Sequence, residues 1–185
     1  MKDFSFLCDI AKECGFANAG IIAVEKIPFD PAVRKACEAN QCGRYGKCWT
    51  CPPHVGEINE LIEKAKGYQW AVVYQSLGQL EDSYDFEGMM AAGETHEKNS
   101  REFIQRTKGI WNGDFLHLSA GGCRHCARCA ILDEEPCRFP EEALSSLEAY
   151  GVAVSQLAPK VGMKYINGAN TVTYFGMCLF QDANE

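Results

Sequence analysis

The chain has 185 residues, of which 46% are hydrophobic and 23% charged, with a formal net charge of −7. That suits one compact domain with a sizeable core. Lys and Arg are scattered, with no basic stripe to point to nucleic acid, and no run reaches the roughly 18 apolar residues of a membrane span.

Phe4, Leu7, Ile10, Ala11 and Cys14 recur at three- and four-residue intervals, which predicts a first helix closed by Gly15. The same segment, Met1 to Cys14, alternates polar and apolar residues without a continuous apolar stretch, so export by a signal peptide is not expected. Ala19 to Val24 reads as a buried strand. Asp30 and Pro31 then start a helix, Asp as its cap and Pro in its first turn, that runs to about Ala39. A further helix is predicted from Glu57 to Lys66, ending at Gly67, and a strand from Trp70 to Leu77, rich in β-branched and aromatic residues. Glu81 to Glu87 is acidic and reads as a solvated loop. The helix after it is marked by Phe103, Ile104, Thr107, Ile110 and Trp111 on one face. Asp114 to Ala120 is expected as a strand, Glu141 to Tyr150 as a helix stopping at Gly151, and Val152 to Leu157 as a short strand. Thr171 to Phe180 is the clearest strand, with a turn at Asn167-Gly168 before it. Helices and strands alternate throughout. This predicts an α/β fold, a single layered domain over residues 1–185 with a mixed sheet of about five strands and cysteine-rich loops.

Eleven cysteines cannot all pair within one chain, and without an export signal a reducing, cytoplasmic compartment is expected. Eight of them fall in two groups. Cys123, Cys126 and Cys129 form two consecutive C-x-x-C steps, and Cys137 follows seven residues later. Three thiolates at this pitch can each reach a different iron of one cubane. The preceding Gly121 and Gly122 are candidate cofactor-binding positions, because glycine lets backbone amides approach cluster sulfides. Zinc is the alternative, although two C-x-x-C pairs on a longer arm suit it better. Arg124 and Arg128 can balance cluster charge, and His125 reads as a filler of the loop.

Cys37, Cys42, Cys48 and Cys51 form the other group, among Gly43, Tyr45, Gly46, Trp49 and Pro52-Pro53. Glycines permit a tight wrap, aromatics shield a cluster from water, and the proline pair stiffens the exit. Cys48-Trp-Thr-Cys51 also has the spacing of a dithiol redox pair, but such a pair usually opens a helix directly. His54 is a possible substitute ligand. Cys8, Cys14 and Cys178 stand on predicted helix and strand positions and read as core.

The stretch CEANQCGRYGKCWTCPP, the stretch CRHCARCAILDEEPCRFPEEALSSLEAYGVAV and the closing VTYFGMCLF resemble a family of predicted metal-binding proteins of unknown function (domain of unknown function 2284) from anaerobic bacteria and archaea. The resemblance spans nearly the whole chain. It implies iron–sulfur ligands at Cys123, Cys126, Cys129 and Cys137, and at Cys37, Cys42 and Cys51, with Cys48 at a position that varies in the family. AKECGFANAGIIAVEKI also looks like the start of the cobalamin-dependent epoxyqueuosine reductases, which carry cubane clusters; that likeness covers only the first helix and strand.

The expectation is a [4Fe–4S] protein with one or two clusters. It would act in electron transfer with a redox partner protein, or as an accessory to a larger anaerobic enzyme. Neither nucleic acid nor membrane is expected as a partner. Two other readings stay open. One is a zinc-stabilised binding module; the other is a small-molecule reductase whose first cluster, held by three thiolates, leaves one iron open.

Overall fold

A computed structural model describes residues 3–108, 110 and 113–182. Helix α1, Ser5–Glu13, buries Leu7, Ile10 and Ala11, and just beyond it Gly15 takes φ +96°, where a side chain would be strained. Strand β1 is Asn18–Ala23. Asp30 then caps a turn as its sequence predicts, accepting a hydrogen bond from the Ala32 amide at 2.8 Å. That tight turn, Pro31–Val33, continues into the short helix α2, Arg34–Glu38. Helix α3 is Ile58–Lys66, strand β2 Trp70–Gln79, helix α4 Phe86–Lys108 and strand β3 Phe115–Ser119. The chain closes with β4, Ser145–Ser146, α5, Val154–Lys160, and β5, Thr171–Phe180.

The five strands form one sheet in the order β1-β2-β5-β3-β4. All neighbours run antiparallel except β3 and β4, which are parallel, so the sheet is mixed, as expected for this α/β fold. Alternation along β2 and β5 sends side chains to both faces. Ala71, Val73, Met177 and Leu179 meet Leu61 and Ala65 of α3, Leu157 and Ala158 of α5, and Tyr150. Val72, Tyr74, Cys178 and Phe180 meet Leu7 and Ala11 of α1 and Phe103 of α4. Each fully buried Leu or Phe contributes about 1.5–3 kcal/mol to this packing.

The buried face of α4 is Gly93, His96, Ser100, Phe103 and Thr107. It is more polar than the expected stripe, and its hydroxyls are satisfied internally: Ser100 donates to the His96 carbonyl at 2.9 Å and Thr107 to that of Phe103 at 2.8 Å. Ile110 is exposed rather than part of that face, and Trp111 lies outside the described residues. The loop expected to Glu87 ends earlier, since α4 begins at Phe86.

Two expected elements are replaced. The segment 141–150 is not a helix: tight turns at Pro140–Glu142 and Glu148–Tyr150 flank β4, whose Ser145 and Ser146 pair with Leu118 and Ser119. Ser146 Oγ also accepts from the Ala149 amide at 3.1 Å, a local bond that competes with helix. Next, 152–157 is not a strand. Val152 makes one isolated bridge to Phe29, and α5 follows, with Val154, Leu157 and Ala158 turned to the core at helical spacing.

The parallel pairing of β3 with β4 forces the chain to leave β3 at Ser119, make an excursion through 120–144, and return alongside. Buried Arg34 of α2 ties the other cysteine segment to this end. It donates to the Gly56 carbonyl at 2.7 Å and to that of Ala149 at 3.1 Å, bonds worth about 1.5–3 kcal/mol each when one partner is charged.

Candidate metal centre

The first cysteine segment begins on α2 with Cys37 and then coils without regular structure to Gly56. Left-handed residues set its path: Asn40 at φ 53°, whose side chain accepts from the Tyr45 amide at 3.0 Å, then Gly43 and Gly46 at φ 70° and 68°. The Gly46 amide donates to the Pro52 carbonyl at 2.8 Å, and the Cys51 amide to the Cys48 carbonyl at 3.1 Å, which closes the turn carrying Cys48 and Cys51.

Thr50, between those two cysteines, joins this turn to the second segment. Its Oγ accepts from the Cys123 amide at 3.2 Å and lies 3.3 Å from the Cys48 sulfur. Trp49 Nε1 donates to the Glu135 carbonyl at 3.0 Å. The Cys51 sulfur lies against Gly122 so closely that a methyl group there would sit 2.8 Å from it.

The result is two adjacent cavities that divide the thiols differently from the sequence groups. Cys123, Cys126, Cys129 and Cys137 line a narrow one of about 20 Å³, and Cys48 joins them. Cys37, Cys42 and Cys51 line a larger one of about 340 Å³, together with Gly121, Gly122 and Glu148. Cys48 and Cys51, carried on one turn with their thiols in contact, thus line different cavities. Gly121 and Gly122, expected beside the 123–137 thiols, instead face the cavity of the other set.

The electrostatics follow from burial and short contacts. A hydrogen bond between the Cys48 and Cys51 thiols pulls Cys48 below the usual thiol range, helped by the Thr50 hydroxyl and amide. The same bond, with burial, pushes Cys51 up. Burial also raises Cys123, against hydrogen bonds from the His125 and Leu144 amides, and raises Cys37, with the Glu148 carboxylate adding to it. Glu148 is itself raised by burial.

Other candidates fall into place around the cavities. His125 lines the narrow cavity, packing edge-on against Phe139 at 4.4 Å with Nε2 3.5 Å from the Glu142 carboxylate. His54 is exposed and contacts the Trp49 ring. Arg128 is exposed and pairs with Asp133 at 2.8 Å, and Arg124 turns its guanidinium toward Gly93 of α4. Cys14 and Cys178 are buried and Cys8 is half-buried, all against the α1–α4 face of the sheet. Thr50 and Glu148 were not singled out by sequence. Threonine inside a C-x-x-C step carries no signal for a bond to residue 123, and Glu148 falls within the helix expected over 141–150.

Among the described residues no three His, Cys, Asp or Glu side chains converge to hold a single metal ion. The fit of these cavities to a metal group therefore rests on donor chemistry rather than on room. Eight soft thiols stand in two neighbouring sets, and thiolates are the donors that iron–sulfur clusters use.

A mixed α/β sheet with eight of its eleven thiols gathered in two neighbouring loops defines a cysteine-rich protein of metal-binding type. The chain belongs to the family described as predicted metal-binding protein (DUF2284), whose model matches residues 20–180. No curated protein matches it. Among solved structures, epoxyqueuosine reductase from Streptococcus thermophilus is similar at 11% identity and a TM-score of 0.44, over 100% of this chain and 47% of that one. The chain thus spans about half the length of that protein. Among the described residues no helix is long and apolar enough to cross a membrane.

Proposed function

We propose that this protein is an iron–sulfur redox protein carrying two neighbouring [4Fe–4S] clusters and passing single electrons to or from a partner protein. The observation that carries this reading is the pair of adjacent thiol-lined cavities joined by the turn Cys48–Cys51. Cys123, Cys126, Cys129 and Cys137 would hold one cluster, with Cys48 beside them. Cys37, Cys42 and Cys51 would hold the other. When bound, such clusters supply one-electron transfer at potentials set by charge, hydrogen bonds to sulfur and exposure.

The chain's own residues do the positioning. The Thr50 hydroxyl accepts from the Cys123 amide and so locks the two segments in register. Trp49 holds the 130–137 stretch by its bond to Glu135 and lines the narrow cavity. The His125 and Leu144 amides donate to the Cys123 sulfur, the type of hydrogen bond that steadies a thiolate ligand.

Purification without oxygen, followed by iron and acid-labile sulfide analysis, tests the reading. About eight irons and eight sulfides per chain are expected for two cubanes. A colourless protein holding only zinc would overturn it and make the cysteine end a structural zinc module.

A further inference from the structure

The two cavities differ in more than size. Five thiols crowd the narrow one, and three face the larger one. A cubane has four irons, so three thiolates leave one iron without a cysteine ligand. Of the two, the larger cavity, about 340 Å³ against about 20 Å³, is the one with open space beside its thiols.

Its lining restricts what can enter. Among the described residues no Lys, Arg or His lines it, and Glu148 is the one carboxyl group. A phosphate or polycarboxylate would therefore lose its hydration without gaining a cation, which is costly. Four aromatic rings, Tyr45, Tyr165, Tyr174 and Phe175, line much of the rest, beside the uncharged polar side chains of Gln41, Ser146 and Thr173. Tyr165 and Phe175 already stack, with their planes 17° apart. The Tyr174 hydroxyl is committed to the Met89 carbonyl at 2.7 Å, so that ring presents its apolar body rather than a free polar tip. Gly121, on the same wall, has open space where a side chain would stand, which lets a flat molecule come close to the backbone.

We propose that this cavity is a small-molecule site. The cluster on Cys37, Cys42 and Cys51 presents one iron free of protein ligands, and an uncharged or cationic ring compound with a nitrogen or oxygen donor enters the cavity and ligates that iron. The proposal rests on the cluster reading above and adds to it which centre is open and what class of molecule it takes. In this arrangement the 123–137 centre is the closed one that relays electrons, and the Cys48–Cys51 turn joins it to the open one.

The test uses the full chain, loaded with iron and sulfide under anaerobic conditions and reduced, and reads electron paramagnetic resonance and Mössbauer spectra. The probes are imidazole, a neutral ring donor, and citrate, a polyanion. Imidazole is expected to change the spectrum of one cluster and citrate to change neither. Cys37→Ser should abolish the imidazole-sensitive signal, and Cys126→Ala should leave it. Mild oxidation should release about one iron per chain and leave a three-iron cluster, since the iron without a thiolate is the labile one.

No response to imidazole in a protein that holds both clusters would overturn the open site and leave the cluster reading standing. A response seen only in Glu148→Gln would overturn it as well, by showing that the Glu148 carboxylate closes the site. An equal response to citrate would overturn the ligand class. Iron without acid-labile sulfide would defeat the cluster reading, and the open site with it.

Discussion

Between β2 and β5, ten residues on each strand face each other in register, from Trp70 opposite Phe180 to Gln79 opposite Thr171. The stretches 39–57 and 120–144 contain neither α-helix nor strand and are joined through side chains, Thr50 to the Cys123 amide and Trp49 to the Glu135 carbonyl. The sheet is specified by ladders and apolar burial on both faces. The cysteine end has no such core, and its thiols are spread over two cavities. One half of the molecule is thus complete without a cofactor. The other is held by a few side-chain hydrogen bonds, and a group bound by either thiol set would tie down a loop that has no regular structure of its own, so metal binding there would add to folding free energy.

Cys126→Ala should give the largest effect, because it removes a thiol from the narrow cavity and, on the function proposed above, would take a whole cluster with it. A loss on the order of several kcal/mol is expected, read as a lower melting temperature in anaerobic thermal scans. An unchanged melting temperature with the 123–137 centre lost would show that the sheet sustains the loops by itself. Phe103→Ala breaks the other half. Phe103 is fully buried between α4 and the sheet, so about 3–5 kcal/mol should be lost in chemical denaturation. Iron and sulfide per folded chain should stay unchanged; joint loss of stability and iron would mean that the halves are not separable.

A third effect depends on pH. His96 is buried, and desolvation, with Arg124 nearby, lowers it to about 4. An unfolded histidine titrates near 6.5. At pH 7 both states are neutral and there is no penalty. As pH falls below about 6.5 the unfolded state takes up the proton first, so stability declines, by up to about 3 kcal/mol near pH 4. His96→Gln should flatten the slope of unfolding free energy between pH 6.5 and 4, any acid loss of metal being common to both proteins. An identical slope would remove His96 as the cause. The smallest effect is expected of Cys178→Ala, a core truncation on β5 worth about 1 kcal/mol, with both cluster spectra unaltered.

The same contrast explains what the sequence made legible. Ser5–Glu13 follows from its own helical stripe, and Thr171–Phe180 from a continuous run of β-branched, aromatic and apolar residues. The segment 141–150 misleads, since Leu144 and Leu147 have helical spacing but are buried by pairing with β3, a long-range contact that no local pattern records. At the cysteine end the two groups are legible from spacing alone. Their division is not. Whether Cys48 and Cys51 share a site depends on the Thr50–Cys123 bond and on the contact of Cys51 with Gly122, both of which join residues some 70 positions apart. Glu148 was hidden for the same reason: only the turn that replaces the expected helix brings it to the larger cavity.

The assignment of Cys48 and Cys51 to different cavities is the central claim, and paired serine variants test it most directly. Cys48→Ser and Cys51→Ser, prepared without oxygen and followed by redox titration with electron paramagnetic resonance, can be compared with Cys126→Ala and Cys37→Ser as references for the two centres. The account predicts that Cys48→Ser alters, at most, the signal lost in Cys126→Ala, and that Cys51→Ser removes the signal lost in Cys37→Ser. Loss of one and the same cluster in both variants would contradict it, because the turn would then deliver both thiols to a single site.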